Sequence, residues 1–434
     1  MTRIRRTRRE FLGTLAASAA AMAAAPYVIT SSALGAANVP PASERVTLAH
    51  IGVGNQGGGL MRHFLGLRGG QSVAVCDLFG SRREAAARLV EQKYAERDGK
   101  GTYKGCAQIK DFREVLGRAD VDAVIIATPD HWHVPIGMAA SRAGKDMYIE
   151  KPLGLAVEWN KALRASIRRY GNVFQYGTQQ RGQAHVRHGC ELIRNGRIGK
   201  IQSIDVWAPD GIDGGSTAVI EPPADLDYDS WLGPAEALPY TKDRCTPLGT
   251  YHVYANSIGF LGGWGAHPLD VLHWAYPDSI PVEYEGTGFI ANTGLYNTVI
   301  HWDIKGRYAS GVPFTLKPGG DCTKFTGTDG WIAISRARLE AEPKSLLTSG
   351  IKPDEVHLHA SNDHKQDFLN CIRTREDPAS HIDTACQSDF ISHLADIAVR
   401  TGRKIKWDPA AETIVGDPEA ERMLNRAMRA PWRL

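Results

Sequence analysis

Short apolar runs alternate with helical patterns through the first part of the chain. Residues 46–51, 73–76, 121–127 and 146–149 are almost continuously apolar, as expected of parallel strands whose two faces are both covered. A helical pattern follows the third run at about residues 135–143. The alternation predicts an α/β domain with a parallel sheet, and such sheets bind ligands beyond the carboxyl ends of their strands.

The pattern changes from Val173 onward. Strand-like stretches at residues 201–206, 283–289 and 297–302 lie between loops rich in glycine and proline, and helical patterns return at 364–373 and 387–400. These features predict an α+β domain on an open, largely antiparallel sheet. We therefore predict a first domain over residues 45–170 and a second over 171–434, which is enough chain for two hydrophobic cores.

The first predicted strand runs directly into a glycine motif, Gly52-Val53-Gly54-Asn55-Gln56-Gly57. Gly52 permits a tight turn, Gly54 lets the backbone approach a pyrophosphate, and Gly57 lets the next helix pack close to the sheet. The N–H groups at the start of that helix would face the phosphates. Asp77 ends the second predicted strand, where a carboxylate can accept hydrogen bonds from an adenosine ribose. Together these features predict a Rossmann dinucleotide-binding domain, with an ordinary glycine-rich turn as the alternative.

Asp77 also bears on the choice of nucleotide. Its charge would repel a 2′-phosphate, which favours NAD over NADP. Arg82 and Arg83 follow closely, and an arginine there could stack on adenine or pair with that phosphate, so NADP stays open. A solvated helix face is the plainer interpretation of both arginines. The predicted cofactor is NAD.

The first 37 residues indicate where the protein works. Five arginines precede an alanine-rich apolar stretch, and Gly35 and Ala37 fit a cleavage site between small residues. Thr7-Arg8-Arg9-Glu10-Phe11-Leu12 resembles the twin-arginine export signal, which carries proteins that fold before they cross the membrane. We expect a periplasmic protein that loses residues 1–37 and then has no stable membrane insertion. An uncleaved anchor is the alternative.

Composition mainly excludes classes of partner. Beyond residue 37 the chain has 46 basic and 47 acidic residues, so nothing points to nucleic acid. Seven scattered cysteines form no Cys-x-x-Cys pair, which argues against a metal framework and leaves one or two disulfides open. His131 and His133 alternate as metal ligands can, but no clear carboxylate or thiolate accompanies them, so we expect no metal.

Several motifs occur in the order typical of the Gfo/Idh/MocA oxidoreductases, which the chain resembles from about Arg45 to its C-terminus. They are residues 52–57, Asp77, residues 127–133 (Ala-Thr-Pro-Asp-His-Trp-His), Glu150-Lys151-Pro152 and His267-Pro268-Leu269-Asp270. The segment 395–409 looks like the tail of exported bacterial members. The resemblance implies a Rossmann domain ahead of an open-faced sheet domain that binds the substrate, a carbohydrate or polyol. It also implies a cis Lys151–Pro152 peptide bond. We expect a homo-oligomer that associates through the C-terminal sheet.

Oxidation of a carbinol carbon by hydride transfer needs a base for the hydroxyl proton and a cation for the developing oxyanion. Lys151 suits the second role and could share the proton. His267 suits the first, because its unperturbed pKa lies near neutrality. On a helix Asp270 would share a face with His267 and could orient the imidazole. The alternatives are a surface lysine before a turn and a satisfied core histidine.

The strand ends and the resemblance give two further sets of candidates. Cofactor contacts are expected at Gly52, Gly54, Asn55, Gln56, Gly57, Asp77, Arg82, Thr128, Pro129, His131, His133, Glu150 and Lys151. Substrate contacts are expected at Lys151, Gln179, Arg181, Tyr254, Trp264 and His267. Amides and arginines bind hydroxyls or carboxylates, and aromatic faces stack on sugar rings. Core packing is the alternative for the aromatic residues.

One position departs from the family pattern. Many members carry an aspartate four residues before the histidine, where this chain has Gly263. Either Lys151 and His267 suffice, or another residue such as Asp210 or Asp213 substitutes, or the reaction differs. Three functions therefore stay open. They are a periplasmic NAD(P)-dependent oxidoreductase of a sugar or sugar derivative, an NAD-dependent glycosidase or lyase that oxidises, eliminates and reduces back, and a non-enzymatic redox sensor or structural protein.

Overall fold

Six parallel strands form the first sheet, in the order β3-β2-β1-β4-β5-β6. The strands are β1 Val46–Ile51, β2 Gly70–Cys76, β3 Ala107–Ile109, β4 Ala123–Ile126, β5 Asp146–Ile149 and β6 Phe174–Tyr176. Between them lie α1 Asn55–Leu65, α2 Gly80–Asp98, α3 Phe112–Leu116, α4 Asp130–Arg142 and α5 Val157–Tyr170. All residues of β4 and β5 are buried, because helices cover both faces of the sheet. The predicted Rossmann architecture is confirmed.

These positions come from a computed structural model that describes residues 41–99, 101–277 and 280–434. The predicted signal at residues 1–37 lies outside that range. Ala42–Glu44 forms one 3-10 turn, and the chain from Val46 to Leu434 forms one folded unit.

Nine strands form the second sheet, in the order β13-β12-β11-β7-β10-β9-β8-β14-β15. The strands are β7 Ile201–Ala208, β8 Glu283–Ile290, β9 Val299–Arg307, β10 Pro313–Pro318, β11 Cys322–Gly327, β12 Trp331–Ser335, β13 Leu339–Glu342, β14 Ile405–Asp408 and β15 Thr413–Ile414. β7 and β10 pair in parallel, and the other registered pairs of this sheet are antiparallel. The predicted largely antiparallel sheet is therefore confirmed.

One face of the second sheet is buried and the other is open. The helices of this half are α6 Ala184–Arg194, α7 Tyr228–Leu232, α8 Pro247–His252, α9 Phe260–Gly263, α10 Ala266–Ala275, α11 His364–Thr374, α12 Ile382–Thr401 and α13 Pro418–Arg422. Alternate residues of β7, such as Ile204 and Val206, belong to the core, as expected of a sheet covered on one side. Association through the open face stays a prediction.

The two halves of the chain are interleaved rather than consecutive. The first sheet extends past the predicted boundary at residue 170, because β6 is its last strand. Phe368 and Leu369 of α11 pack with Leu48 and Tyr148 of the first sheet. The segment before α7 also returns to the first sheet, where Leu226 forms an antiparallel bridge with Phe79. Residues from both halves therefore surround the carboxyl ends of the parallel strands.

The helix that follows β4 begins earlier than the sequence pattern predicts. The pattern places its start near Pro135, whereas α4 begins at Asp130, with Pro129 at its N-cap. Proline is tolerated near a helix start, and an acidic residue in the first turn is favoured by the helix dipole. His131 and His133 are consequently helical and buried rather than part of an open loop.

Candidate active site

The turn after β1 has the geometry that a dinucleotide requires. Gly52 has a φ of +83°, and a Cβ there would lie 2.6 Å from the carbonyl oxygen of Ala127. A Cβ on Gly57 would lie 1.9 Å from the carbonyl oxygen of Gly52, so only glycine lets α1 pack this close. Gly54 is the N-cap of α1, and no side chain among the described residues caps that start. The N–H groups of the first turn are therefore available to an anion.

Asp77 is held at the end of β2 by the same turn. Its Oδ2 accepts a hydrogen bond from the Val53 N–H at 2.9 Å, and its Oδ1 accepts one from the Phe79 N–H at 2.9 Å. Burial raises the pKa of Asp77, and these N–H donors and the nearby arginines oppose that rise. Arg82 stacks its guanidinium 3.8 Å from the centre of the Phe79 ring, whereas Arg83 donates to the backbone oxygen of Asp77.

A groove of about 510 Å³ begins at this turn. It is lined by Gly52, Gly54, Asn55, Gln56, Asp77, Arg82, Thr128 and Pro129, all of them predicted cofactor contacts. Its volume lies within the range of known ligand sites. Three features fit a dinucleotide: glycines at positions where a Cβ would clash with the backbone, an uncapped helix start, and a carboxylate at the ribose position. The residues present thus suit NAD.

Lys151 lies next to the groove at the end of β5. Its peptide bond with Pro152 is cis, as predicted. The neighbouring Glu150 is buried and accepts hydrogen bonds from the Gln56 side chain at 3.0 Å and from the Lys151 N–H at 3.3 Å. Gln56 and Glu150 therefore tie the nucleotide turn to the strand that carries the lysine.

His267 is buried and neutral. Burial lowers the pKa of His267 well below its usual value, and the charges of Lys151, Arg336 and His364 add to the effect. Its Nδ1 has no hydrogen-bond partner among the described residues. Trp264 packs edge-on against the imidazole, with 6.0 Å between the ring centres. A neutral imidazole beside an ammonium can accept a proton while the lysine stabilises an anion.

The prediction that Asp270 orients His267 is wrong. Asp270 forms a bidentate ion pair with Arg181, with Nε–Oδ2 and Nη2–Oδ1 distances of 2.7 Å. The two side chains are 1% and 2% exposed, and Arg181 also donates to the Ala379 carbonyl. Arg181 is therefore held by Asp270 and Ala379, and its substrate contact stays a prediction. The carboxylate pairs with the guanidinium rather than with the imidazole, because the buried guanidinium is charged and an unpaired buried charge is costly.

His131 and His133 do not line the groove and are engaged in structural hydrogen bonds. His131 contacts the Trp231 carbonyl through Nε2 at 2.8 Å and the Asn256 amide through Nδ1 at 3.3 Å. His133 lies between the carbonyl oxygens of Thr128 and Pro152. Burial lowers the pKa of each histidine to about 4. Their predicted cofactor contacts are therefore replaced by a role in bracing the turns around the groove.

The remaining predicted substrate contacts are divided between two places. Tyr254 is sandwiched between the guanidinium groups of Arg400 and Arg426, 3.4 and 3.8 Å from its ring centre, and lines a different cavity. The structure does not bring Tyr254 to the groove, and its substrate contact stays a prediction. Gln179 accepts a hydrogen bond from Lys365 and lines a cavity of about 270 Å³ with Arg336.

Trp264 packs against Arg336, one of the residues that line that cavity. Arg336 lies over its ring, 5.4 Å from the ring centre, and His267 packs against its edge. Trp264 thus lies between His267 and the cavity that Gln179 lines with Arg336. The cavity brings an amide and two cations together, which suits polar or charged substituents on a sugar.

Two residues without a predicted catalytic role lie beside Lys151. The centre of the Tyr251 ring is 5.4 Å from the lysine Nζ, and a Cβ on Gly263 would lie 3.2 Å from the same ring. Tyr251 therefore fills the space beside Gly263. Asp130 is buried, and burial raises its pKa to about 7, against a hydrogen bond with Ser257 and the charge of Lys151.

Nothing in the local sequence marked these two residues. Asp130 belonged to the 127–133 motif, but the motif did not show that this residue would lie near Lys151. That position depends on the early start of α4. Asp210 and Asp213, the suggested substitutes for the missing aspartate, lie at exposed positions, and Asp210 pairs with His301 at 2.9 Å. Neither lines the groove or the cavity beside His267.

The described residues contain no group of three or more histidine, cysteine or acidic side chains placed to hold a metal. All seven cysteines are free thiols. The described helices include none with the length and apolar character that a membrane crossing requires.

Comparison with known families decides the assignment. Residues 46–178 match a family model described as an oxidoreductase family NAD-binding Rossmann fold, and residues 212–434 match the oxidoreductase family C-terminal alpha/beta domain. The chain belongs to the Gfo/Idh/MocA oxidoreductase family. Its first sheet is accordingly an NAD-binding domain, and NAD is the cofactor that the groove accommodates.

Curated relatives match over about a quarter to a third of the chain's length. An α-N-acetylgalactosaminidase of Shewanella oneidensis is 32% identical over 163 residues, which are 35% of this chain and 34% of the relative. A glycosyl hydrolase family 109 protein of Saccharopolyspora erythraea is 37% identical over 117 residues, 27% of this chain and 25% of the relative. The chain thus matches only about a quarter to a third of the length of these relatives.

Solved structures share the fold over most of the chain. Scyllo-inositol dehydrogenase from Lactobacillus casei, with NAD(H) and scyllo-inositol bound, aligns with a TM-score of 0.59 at 17% identity and covers 83% of this chain and 99% of its own. Aldose-aldose oxidoreductase from Caulobacter crescentus, complexed with glycerol, gives 0.59 at 18% identity with the same coverage. At such identities the likeness concerns the fold alone.

Proposed function

We propose that this oxidoreductase acts on a hydroxyl group of a sugar, a polyol or a sugar derivative, in the periplasm and with NAD. The observation that carries the proposal is the placement of Lys151 against Tyr251 of the nucleotide groove, close enough to the buried His267 for the lysine charge to lower the pKa of that histidine. The polar cavity lined by Gln179 and Arg336 supports a hydroxylated substrate. The fold shared with inositol and aldose oxidoreductases is consistent with this class.

Each group has a defined task. Bound NAD would supply the hydride acceptor. His267 would accept the proton of the substrate hydroxyl, which a neutral imidazole with a free nitrogen can do. Lys151 would stabilise the oxygen as negative charge develops on it. Glu150 and Gln56 hold the lysine strand and the nucleotide turn in register, so the two reacting partners meet at one end of the groove.

A second candidate is a glycosidase or lyase cycle with recycled cofactor. Relatives named as a glycosyl hydrolase family 109 protein and an α-N-acetylgalactosaminidase match part of this chain, and this match favours the candidate. Oxidation of a ring hydroxyl would acidify the neighbouring C–H bond, whose proton a base removes as the aglycone leaves. Water would then add to the double bond, and the hydride would return to the same carbon. The cycle has no net redox change.

One experiment separates the candidates. The purified protein is incubated with a panel of free sugars, polyols and aryl glycosides while nucleotide absorbance and aglycone release are followed together. Stable reduction of nucleotide indicates a dehydrogenase. Aglycone release without net reduction indicates the glycosidase cycle. Absence of both, with nucleotide bound, would support the non-enzymatic alternative and contradict the proposal.

Two substitutions test the assigned roles. Lys151→Ala and His267→Ala should each lower turnover roughly a hundred- to ten-thousand-fold, the usual range for an electrostatic donor or a general base. Nucleotide content should stay near that of the wild type, because the groove is untouched. Lys305→Ala and His357→Ala, at exposed positions outside the site, are the matched controls. Nearly full activity in His267→Ala would refute its role.

A further inference from the structure

The end of the chain reaches the nucleotide groove. Trp432 lines the groove together with Trp132 and Phe112. It is the third-last residue of the sequence. Its ring centre lies 4.6 Å from that of Trp132 in an edge-to-face arrangement and 6.5 Å from that of Phe112. The Arg113 guanidinium lies 5.6 Å from the same ring. The groove thus has an aromatic wall contributed by the C-terminal tail, residues 423–434.

The tail is fixed in this position by specific contacts. Arg429 forms an ion pair with Asp229 at 2.5 Å, and its Nε donates to the Gly233 carbonyl at 2.9 Å. The backbone N–H of Arg429 donates to the Pro234 carbonyl at 2.9 Å. Trp159 donates to Asn425 and to the Arg426 carbonyl at 3.1 Å. Chain ends usually fray unless they are tied down, so these contacts place Trp432 reproducibly.

The aromatic wall reaches the adenosine side of the groove through Phe112, whereas its third ring, Trp132, belongs to α4, which follows β4 on the other side of β1. Phe112 follows β3, which lies beyond β2 and its terminal Asp77 in the sheet order. Asp77 is at the ribose position of this fold, whereas Lys151 follows β5, on the opposite side of β1. A nucleotide bound in the groove would therefore meet the tail with its adenosine half.

We propose that Trp432 is a cofactor-binding residue and that the C-terminal tail slows the release of NAD. The ring packs along the adenosine moiety, and Arg429 holds the tail against the loop after α7. The inference rests on the NAD-dependent function above, but it concerns retention of the nucleotide rather than the chemical step. Stacking of a base on an aromatic side chain is worth about 1–3 kcal/mol by alanine substitution, which is roughly a fivefold to hundredfold change in affinity.

The test measures nucleotide release from the full-length protein. NADH is bound and then chased with excess NAD, and the rate of its dissociation is followed by fluorescence. Trp432→Ala should release NADH about tenfold faster than the wild type. Trp432→Phe, which keeps an aromatic ring, should restore most of the retention. Arg429→Ala, which frees the tail but keeps the ring, should accelerate release in the same direction.

A second measurement locates the effect on the nucleotide. Trp432→Ala should weaken binding of AMP and leave that of nicotinamide mononucleotide unchanged. Trp331→Ala is the matched control, because Trp331 lies on the second sheet against Lys324 and does not line the groove. Comparison of thermal unfolding identifies any variant that is merely destabilised, and Trp432→Phe then carries the test.

The outcomes are distinguishable. Equal NADH release from the wild type, Trp432→Ala and Trp331→Ala would overturn the role of the tail while leaving the NAD-dependent function intact. A wild-type protein that binds no nucleotide would overturn both. Faster release with unchanged AMP affinity would also contradict the proposal, because it would separate the tail from the adenosine moiety.

Discussion

At the scale of single residues, Asp130 is expected to make stability depend on pH. Burial raises its pKa to about 7, so the folded protein holds this proton more tightly than the unfolded chain does. The free energy of unfolding should therefore fall as pH rises from about 4 through about 7. Asp130→Asn removes this penalty. The variant should be more stable than the wild type above neutrality, by on the order of a few kcal/mol.

Denaturant unfolding at several pH values checks the Asp130 prediction. The two proteins should converge near pH 4, where the unfolded carboxyl is also protonated. Asp354→Asn, at an exposed turn, is the control that removes a solvent-exposed carboxylate. A constant difference between Asp130→Asn and the wild type across the whole pH range would contradict the assigned cause.

The buried pair of Arg181 and Asp270 leads to a prediction about folding rather than catalysis. Asp270→Asn leaves a buried guanidinium without its counter-charge, which should lower the free energy of unfolding by about 3–5 kcal/mol. The double variant Arg181→Met/Asp270→Leu should lose less than either single variant, because an apolar pair needs no counter-charge. Urea unfolding measures both. Greater loss in the double variant would show that the pair has a role beyond mutual neutralisation.

The sequence was informative about residues whose role is local and uninformative about residues whose role depends on distant partners. Gly52 and Gly57 could be assigned because one turn determines their environment. Asp270 could not, since Arg181 reaches it from another element 89 positions away. Tyr251 could not be assigned either, because nothing near it in sequence shows that it packs against Lys151.

At the scale of elements, the approach of α1 to the turn after β1 decides whether nucleotide binds. A Cβ on Gly57 would lie 1.9 Å from the Gly52 carbonyl oxygen, so Gly57→Ala should displace the helix start and abolish nucleotide binding. Gly59→Ala is the matched control. It lies in the same helix, and the described atoms leave open space within 4 Å of its Cβ position. It should bind normally and gain up to about 1 kcal/mol from better helix propensity.

Isothermal titration with NAD measures both glycine variants. Normal binding by Gly57→Ala would mean that the turn relaxes without cost and that the close packing of α1 is not required.

Strands were predicted well at this scale, since continuous or alternating apolar runs fix their burial. Helix starts were not, because the N-cap of α4 depends on Pro129 and on the dipole rather than on apolar spacing.

At the scale of the whole molecule, the nucleotide site is assembled from both ends of the chain. The glycine turn comes from the first strand, whereas the opposite wall includes Trp231 and the terminal Trp432. The helix α11 also covers the first sheet. Such a site is complete only after the entire chain has folded. The sequence did not reveal this interleaving, because the predicted boundary at residue 170 treats each domain as one continuous segment.

This assembly bears on export, which we propose follows the twin-arginine route. Loading NAD in a site lined by residues as far apart as Gly52 and Trp432 calls for folding where NAD is present, and hence before the membrane is crossed. Replacement of Arg8 and Arg9 by lysine keeps the charge but removes the feature that the receptor reads. The variant should accumulate in the cytoplasm, folded and with nucleotide bound. Cell fractionation followed by mass spectrometry of the released nucleotide measures the location of the protein and its nucleotide content.

Arg5→Lys/Arg6→Lys, which leaves the Arg8-Arg9 pair intact, is the control and should export normally. Unchanged periplasmic accumulation of the Arg8 and Arg9 variant would mean that another route carries the protein, and that it acquires its cofactor some other way.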